Sequence, residues 1–148
     1  MNESTPQLAR NLGHAGLLPF LAGAFIVWVL PPSKGLLVTS YFAQYSAVIL
    51  SFLGGMLWST TLMKNINPGM SRALLWLAIL FSLAAWLSTF LAPLYALLVL
   101  CAGFWVARVV EQRSVDRVYP LWLITLRNWL TRIVIACHIS VLVFIAQY

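Results

Sequence analysis

The sequence predicts an all-α membrane protein: a five-span transmembrane helix bundle with a cytoplasmic N-terminus and a periplasmic C-terminus. Three observations predict it. Hydrophobic residues make up 62% of the 148-residue chain and charged residues only 8%, whereas soluble domains carry about a quarter charged residues. A water-soluble fold of this size has too much surface to hide so much apolar matter. The apolar residues fall into runs of spanning length, about 17–25 residues each. The basic residues cluster on one side of the topology those runs define.

Taken in order, residues 1–12 read as a polar cytoplasmic tail, and 13–148 as a single transmembrane domain. The first span covers about 13–30 and is closed by Pro31-Pro32-Ser33-Lys34-Gly35. The run lacks a small-residue cleavage site before Pro31, so it is read as a retained helix and not a signal peptide. The second covers 37–63 and is closed by Lys64, Asn65, Asn67, Pro68 and Gly69. From Ala73 to Ala107 no charge occurs, and one helix of that length would run about 52 Å, beyond the bilayer core. Pro93 divides it, with Ala92-Pro93-Leu94 as a hairpin between spans at 73–91 and 94–108. The fifth span covers 123–147, entered after Tyr119-Pro120.

Orientation follows from the positive-inside rule. With the N-terminus inside, Arg10, Lys64, Arg72, Arg108, Arg113, Arg117, Arg127 and Arg132 are inner and only Lys34 is outer. The net charge of +6 is therefore topological, and its basic residues sit singly at the ends of apolar runs, which excludes the nucleic-acid class. The expected setting is the bacterial inner membrane.

The second span carries ILSFLGGMLWS, Ile49–Ser59, with adjacent glycines inside an oily run. At 100° per residue, Ser40, Gln44, Ala47, Gly54, Gly55 and Trp58 fall within about 60° of Ser51, and Phe42, Ile49, Leu53 and Met56 lie opposite. Because small residues let membrane helices approach closely, the face of Gln44, Ser51, Gly54, Gly55 and Trp58 is expected to point inward. It is then either the packing seam of the bundle or the wall of a small-molecule pocket.

On the last span Arg127, Thr131 and His138 share a face within about 40° and extend about 16 Å along the helix. Ionisable groups inside a membrane are functional candidates by default. The stripe is read either as a path or anionic-headgroup site, or as a satisfied histidine beside two arginines reaching for phosphates. The polar connection Arg108–Tyr119 is expected to continue the fourth helix and turn at Pro120. Glu111 and Asp116 would pair there with Arg108, Arg113 or Arg117 as exposed ion pairs of small value.

All three acids, Glu3, Glu111 and Asp116, lie outside the spans in this reading. The buried carboxylate of an ion-coupled carrier is then missing. No phosphate loop, HExxH, GxSxG or paired-carboxylate motif occurs, and no enzyme is expected. Cys101 and Cys137 stand alone in apolar runs, with no metal-ligand spacing. No metal and no cofactor is expected.

Three stretches, LGHAGLLPF (Leu12–Phe20), YSAVILSFLGGMLWS (Tyr45–Ser59) and the late pattern Asp116, Pro120, Trp122, Arg127, Leu130, Thr131, resemble the domain of unknown function 3429 family, which includes the eukaryotic transmembrane protein 69. The family often has Gly where Ser59 stands and Tyr where Leu123 stands. The resemblance implies a small polytopic protein of bacterial inner membranes or mitochondria, and brings no established activity. A fainter likeness is to the tryptophan-rich sensory protein and translocator protein family, whose orientation is expected to be opposite.

The functional expectation is a non-catalytic accessory, assembly or scaffold protein acting through helix and lipid contacts. Its partners would be the bilayer and a membrane protein or a second copy. Asp116, Pro120 and Trp122 would form its cytoplasmic contact surface. The alternative is a binder of a lipid, quinone or tetrapyrrole-like molecule beside Gly54 and Gly55.

Overall fold

The computed structural model describes residues 4–64 and 66–148; the acidic Glu3 and the turn residue Asn65 named above lie outside them. Among the described residues every regular element is helical: α1 (Ser4–Ala15), α2 (Leu18–Val29), α3 (Pro32–Met63), α4 (Pro68–Ser88), α5 (Pro93–Ser114) and α6 (Leu121–Ile145), with one 3-10 turn at Asp116–Val118. Five segments are long and apolar enough to cross a membrane, α1 and α2 together forming the first, Thr5–Val29. The five-span fold expected from composition is the one observed.

Prolines set most of the helix starts. Pro32, Pro68 and Pro93 each occupy the first position of α3, α4 and α5, and Pro120 caps α6. A proline there loses nothing, since the first-turn N–H groups have no intrahelical partner. Asn67 adds a cap to α4 by accepting from Gly69 N at 3.0 Å. The chain reverses between α4 and α5 just before Pro93, as the hairpin reading required.

The helix bounds are wider than the hydropathy runs. Residues 4–12 are helical and not a tail, α4 begins at Pro68, five residues before Ala73, and α5 continues past Arg108 to Ser114. Hydropathy marks what lipid solvates, whereas a helix continues as long as its backbone bonds are satisfied. The extension of α5 matters most, because it places Glu111 on a helix packed against α6.

The long helix α3 is the centre of the bundle, touching α2, α4 and α5, while α6 packs on α1, α2 and α5. Helices α1–α2 and α6 run in the same direction. His14 meets Trp129 edge-on near one end, and Trp28 Nε1 donates to Ser140 Oγ at 3.0 Å near the other. The interior is filled by Phe20, Leu50, Leu97, Leu100, Phe104 and Val141.

The inward face of α3 is not the expected one. Its buried positions, including Thr39, Phe42, Ala43, Ser46, Leu50, Leu53, Gly54 and Leu57, centre on Leu50, one residue or about 100° from Ser51. Gln44, Gly55 and Trp58 are exposed, Ser51 is half-buried, and Phe42 and Leu53 point in. The small-residue rule locates where two backbones touch, and that holds at one place. A Cβ on Gly54 would stand 2.6 Å from Ala78 O of α4, while one on Gly55 would meet nothing within 4 Å. The rest of that inner face mixes small residues, among them Ala47 of the expected face, with four large ones, Phe42, Leu50, Leu53 and Leu57, that fill the space between three neighbouring helices.

Candidate functional site: an ionic network, a caged histidine and a lateral groove

The α5 extension and the start of α6 carry the densest chemistry. Glu111 is 2% exposed and Arg127 7%. Arg127 donates to Glu111 through Nε at 3.1 Å and Nη2 at 2.8 Å, a two-point fork. Arg108 joins them, with Nη1 at 3.3 Å from Glu111 Oε2 and both terminal nitrogens on the Asp116 carboxylate, at 2.9 and 2.6 Å. Its Nε donates to Asn128 Oδ1 at 2.8 Å. Two cations thus face two anions, with each charge hydrogen-bonded, the condition under which buried ions are tolerable.

Two expectations are corrected here. Glu111 and Asp116 are not exposed local pairs, and Glu111 is a buried carboxylate within a membrane-spanning helix. Asp116 is bound inward to Arg108 and offers little to a cytoplasmic partner. Of that expected surface Pro120 is exposed and Trp122 half-buried, the latter with the Arg10 guanidinium 5.5 Å from its ring centroid. A signal for the network lay in the sequence: two acids, two arginines and Asn128 lie on either side of one short turn.

The turn is tied to α3 as well. Tyr119 Oη and Thr60 Oγ1 are 3.1 Å apart. Burial pushes the Tyr119 phenol above its ordinary ionisation range; the Thr60 hydrogen bond opposes the shift and the nearby Glu111 charge adds to it. The tyrosine is therefore held as a neutral hydroxyl.

His138 lies three turns along α6 on the same face as Arg127, as the wheel required, but belongs to a different environment. It is 0% exposed and ringed by Phe42, Phe104 and Phe20, with centroids at 4.9, 5.4 and 5.9 Å. Its Nδ1 is 2.8 Å from Val134 O. A carbonyl only accepts, so Nδ1 carries the proton and Nε2 presents a lone pair. That Nε2 is buried with no partner.

Thr131 and Arg127 are the polar residues in the wall of a groove of about 360 Å³ between α1–α2, α3 and α6. Phe20, Leu53 and Phe104 form its buried floor, and Leu12 and Phe52 stand exposed at its rim, so it opens sideways. The fork to Glu111 uses Arg127 Nε and Nη2. The expected pocket face borders a groove of the same volume, about 360 Å³, between α3 and α4, more open to the surroundings and lined by Gly54, Gly55, Trp58, Ile79 and Ser82. Cys101 and Cys137 are free thiols. Among the described residues no three His, Cys, Asp or Glu side chains come together.

Residues 5–143 match the model of a family described as "Protein of unknown function (DUF3429)". No curated protein and no solved structure matches the chain.

Proposed function

The chain belongs to the DUF3429 family, and we propose that it is a non-catalytic inner-membrane protein that holds a lipid-like amphiphile in the groove between α1–α2, α3 and α6. One observation carries this reading: the groove is walled by apolar side chains except at Arg127 and Thr131, and it opens at Leu12 and Phe52 toward where lipid would lie. Its volume falls within the about 300–1,000 Å³ of small-molecule sites. A hydrocarbon tail suits the apolar wall, and an acceptor-bearing head suits a guanidinium and a hydroxyl.

The ionic network supports a holding role over a coupled carrier. Glu111 is engaged by two arginines and is not left unpaired in the bundle. The network instead fixes Arg127 as part of the wall.

The test is mass analysis of small molecules retained when the protein is extracted gently from its own membrane. The wild type should carry one amphiphile at fixed stoichiometry, and Met56→Trp, which fills the groove from α3, should lose it. A protein carrying no such molecule, or retaining it unchanged in Met56→Trp, would sink the reading. A protein partner at fixed stoichiometry, with the groove empty, would favour the scaffold role instead.

A further inference from the structure

On the face of α6 next to the groove, about 100° round from Arg127, Asn128 is held in one orientation. Its Oδ1 accepts from Arg108 Nε at 2.8 Å and from Gln112 Nε2 at 3.2 Å. A guanidinium can only donate, so Oδ1 must face Arg108 and the side-chain NH₂ must face away. One turn further along α6 stands Arg132, an exposed cation inside a membrane-spanning helix. Both carboxylates of the described residues are already bound to Arg108 and Arg127.

Asn128 and Arg132 share a cleft of about 180 Å³ between α5 and α6 with Gln112, Thr131 and Trp105. Trp105 is 60% exposed at its edge. An exposed arginine about three turns from the start of a membrane-spanning helix has to be answered by an acid or by a lipid phosphate toward which it can reach. Among the described residues a second copy of this chain offers no free acidic side chain, because Glu111 and Asp116 are turned inward in each copy. A lipid phosphate answers the charge directly, and this end of the bundle, with Arg113 and Arg117 also exposed, favours an anionic leaflet.

We propose that the α5–α6 cleft binds the phosphate of an anionic phospholipid, with the Arg132 guanidinium and the Asn128 amide as donors and Trp105 against the glycerol region. The cleft shares Thr131 with the amphiphile groove, but neither Arg132 nor Asn128 lines that groove.

The experiment is a titration of the purified, delipidated protein with phosphatidylglycerol and with phosphatidylcholine, read by native mass spectrometry. The wild type should retain one phosphatidylglycerol in preference to phosphatidylcholine. Arg132→Gln should weaken that retention about tenfold, the worth of one charge-assisted bond, and Arg132→Lys should keep most of it. Arg113→Gln, an exposed cation outside the cleft, should change nothing, nor should Met56→Trp in the groove. Equal retention of both lipids by the wild type would overturn the proposal, as would wild-type affinity in Arg132→Gln or an equal loss in Arg113→Gln. Because Arg132 and Arg113 are exposed, their variants leave the core intact.

Discussion

Arg127 and His138 sit on one face of one helix, both buried, and the bundle treats them in opposite ways. Arg127 is answered from another helix: Glu111 on α5 takes its fork, and Arg108 and Asp116 complete a neutral set of four. His138 is answered from its own helix by Val134 O and otherwise by phenyl rings, and its Nε2 is left bare. The difference is one of charge. A guanidinium cannot shed its proton, so a partner must be brought to it. An imidazole can be neutral, and a neutral ring survives in an apolar cage with one nitrogen unpaired. The first arrangement ties α5 to α6 by charge, and the second joins α6 to α2, α3 and α5 by ring packing alone.

The strongest way to break this comparison is to remove Glu111. Glu111→Leu leaves Arg108 and Arg127 with Asp116 alone, and truncating one side of a buried pair costs about 3–5 kcal/mol. Thermal unfolding in a fixed detergent should show the largest loss of any single substitution considered for this chain. Glu111→Leu combined with Arg127→Leu should recover a good part of it, because the uncompensated charge has gone. A single Glu111→Leu as stable as wild type would mean that the network does not fasten the helices.

How much of this was legible depends on the range of the signal. The five spans, the break before Pro93 and the turn before Pro68 rest on local composition, and the chain displays them directly. The face of α3 depends on which helices surround it, and no local pattern states that α3 is central. The wheel centred on Ser51 therefore misses the inner face by about one residue, keeping Ala47 and Gly54 but placing the exposed Gln44, Gly55 and Trp58 inward. Glu111 was hidden for a similar reason. Beside Arg108 it looks like a solvated i,i+3 pair, and its stronger partner, Arg127, stands sixteen residues on, across the turn. Arg127, Thr131 and His138 were legible as a face, because one helix carries all three, but the contrast between their surroundings was not.

The two glycines give the next largest effect and compare a crowded seam with an open surface. Gly54→Leu drives a side chain into Ala78 O and Ser82 Oγ, 2.6 and 2.9 Å from where its Cβ would stand, and overpacking of this kind costs about 1–3 kcal/mol. Gly55→Leu enters open space and should stay within about 0.5 kcal/mol of wild type. Unfolding midpoints of the two variants in the same detergent decide the matter. Equal losses would restore a face centred on Ser51 and take away the Leu50-centred one.

The smallest effect is the most discriminating for His138. His138→Phe keeps an aromatic ring among Phe20, Phe42 and Phe104 and removes the bare Nε2. Val134 O loses only a side-chain donor, since it lies four residues back along the same helix and keeps its backbone bond. A buried unpaired acceptor costs about 1–3 kcal/mol and a made hydrogen bond contributes about 1 kcal/mol, so the exchange should leave the unfolding midpoint unchanged or raise it slightly. His138→Ala, which opens a cavity among three rings, should instead lower it, by more than 2 kcal/mol on the scale of large-to-small core changes. If His138→Phe proves as damaging as His138→Ala, then in the membrane Nε2 is not bare. Something donates a hydrogen bond to it there, and the two residues of the stripe are alike after all.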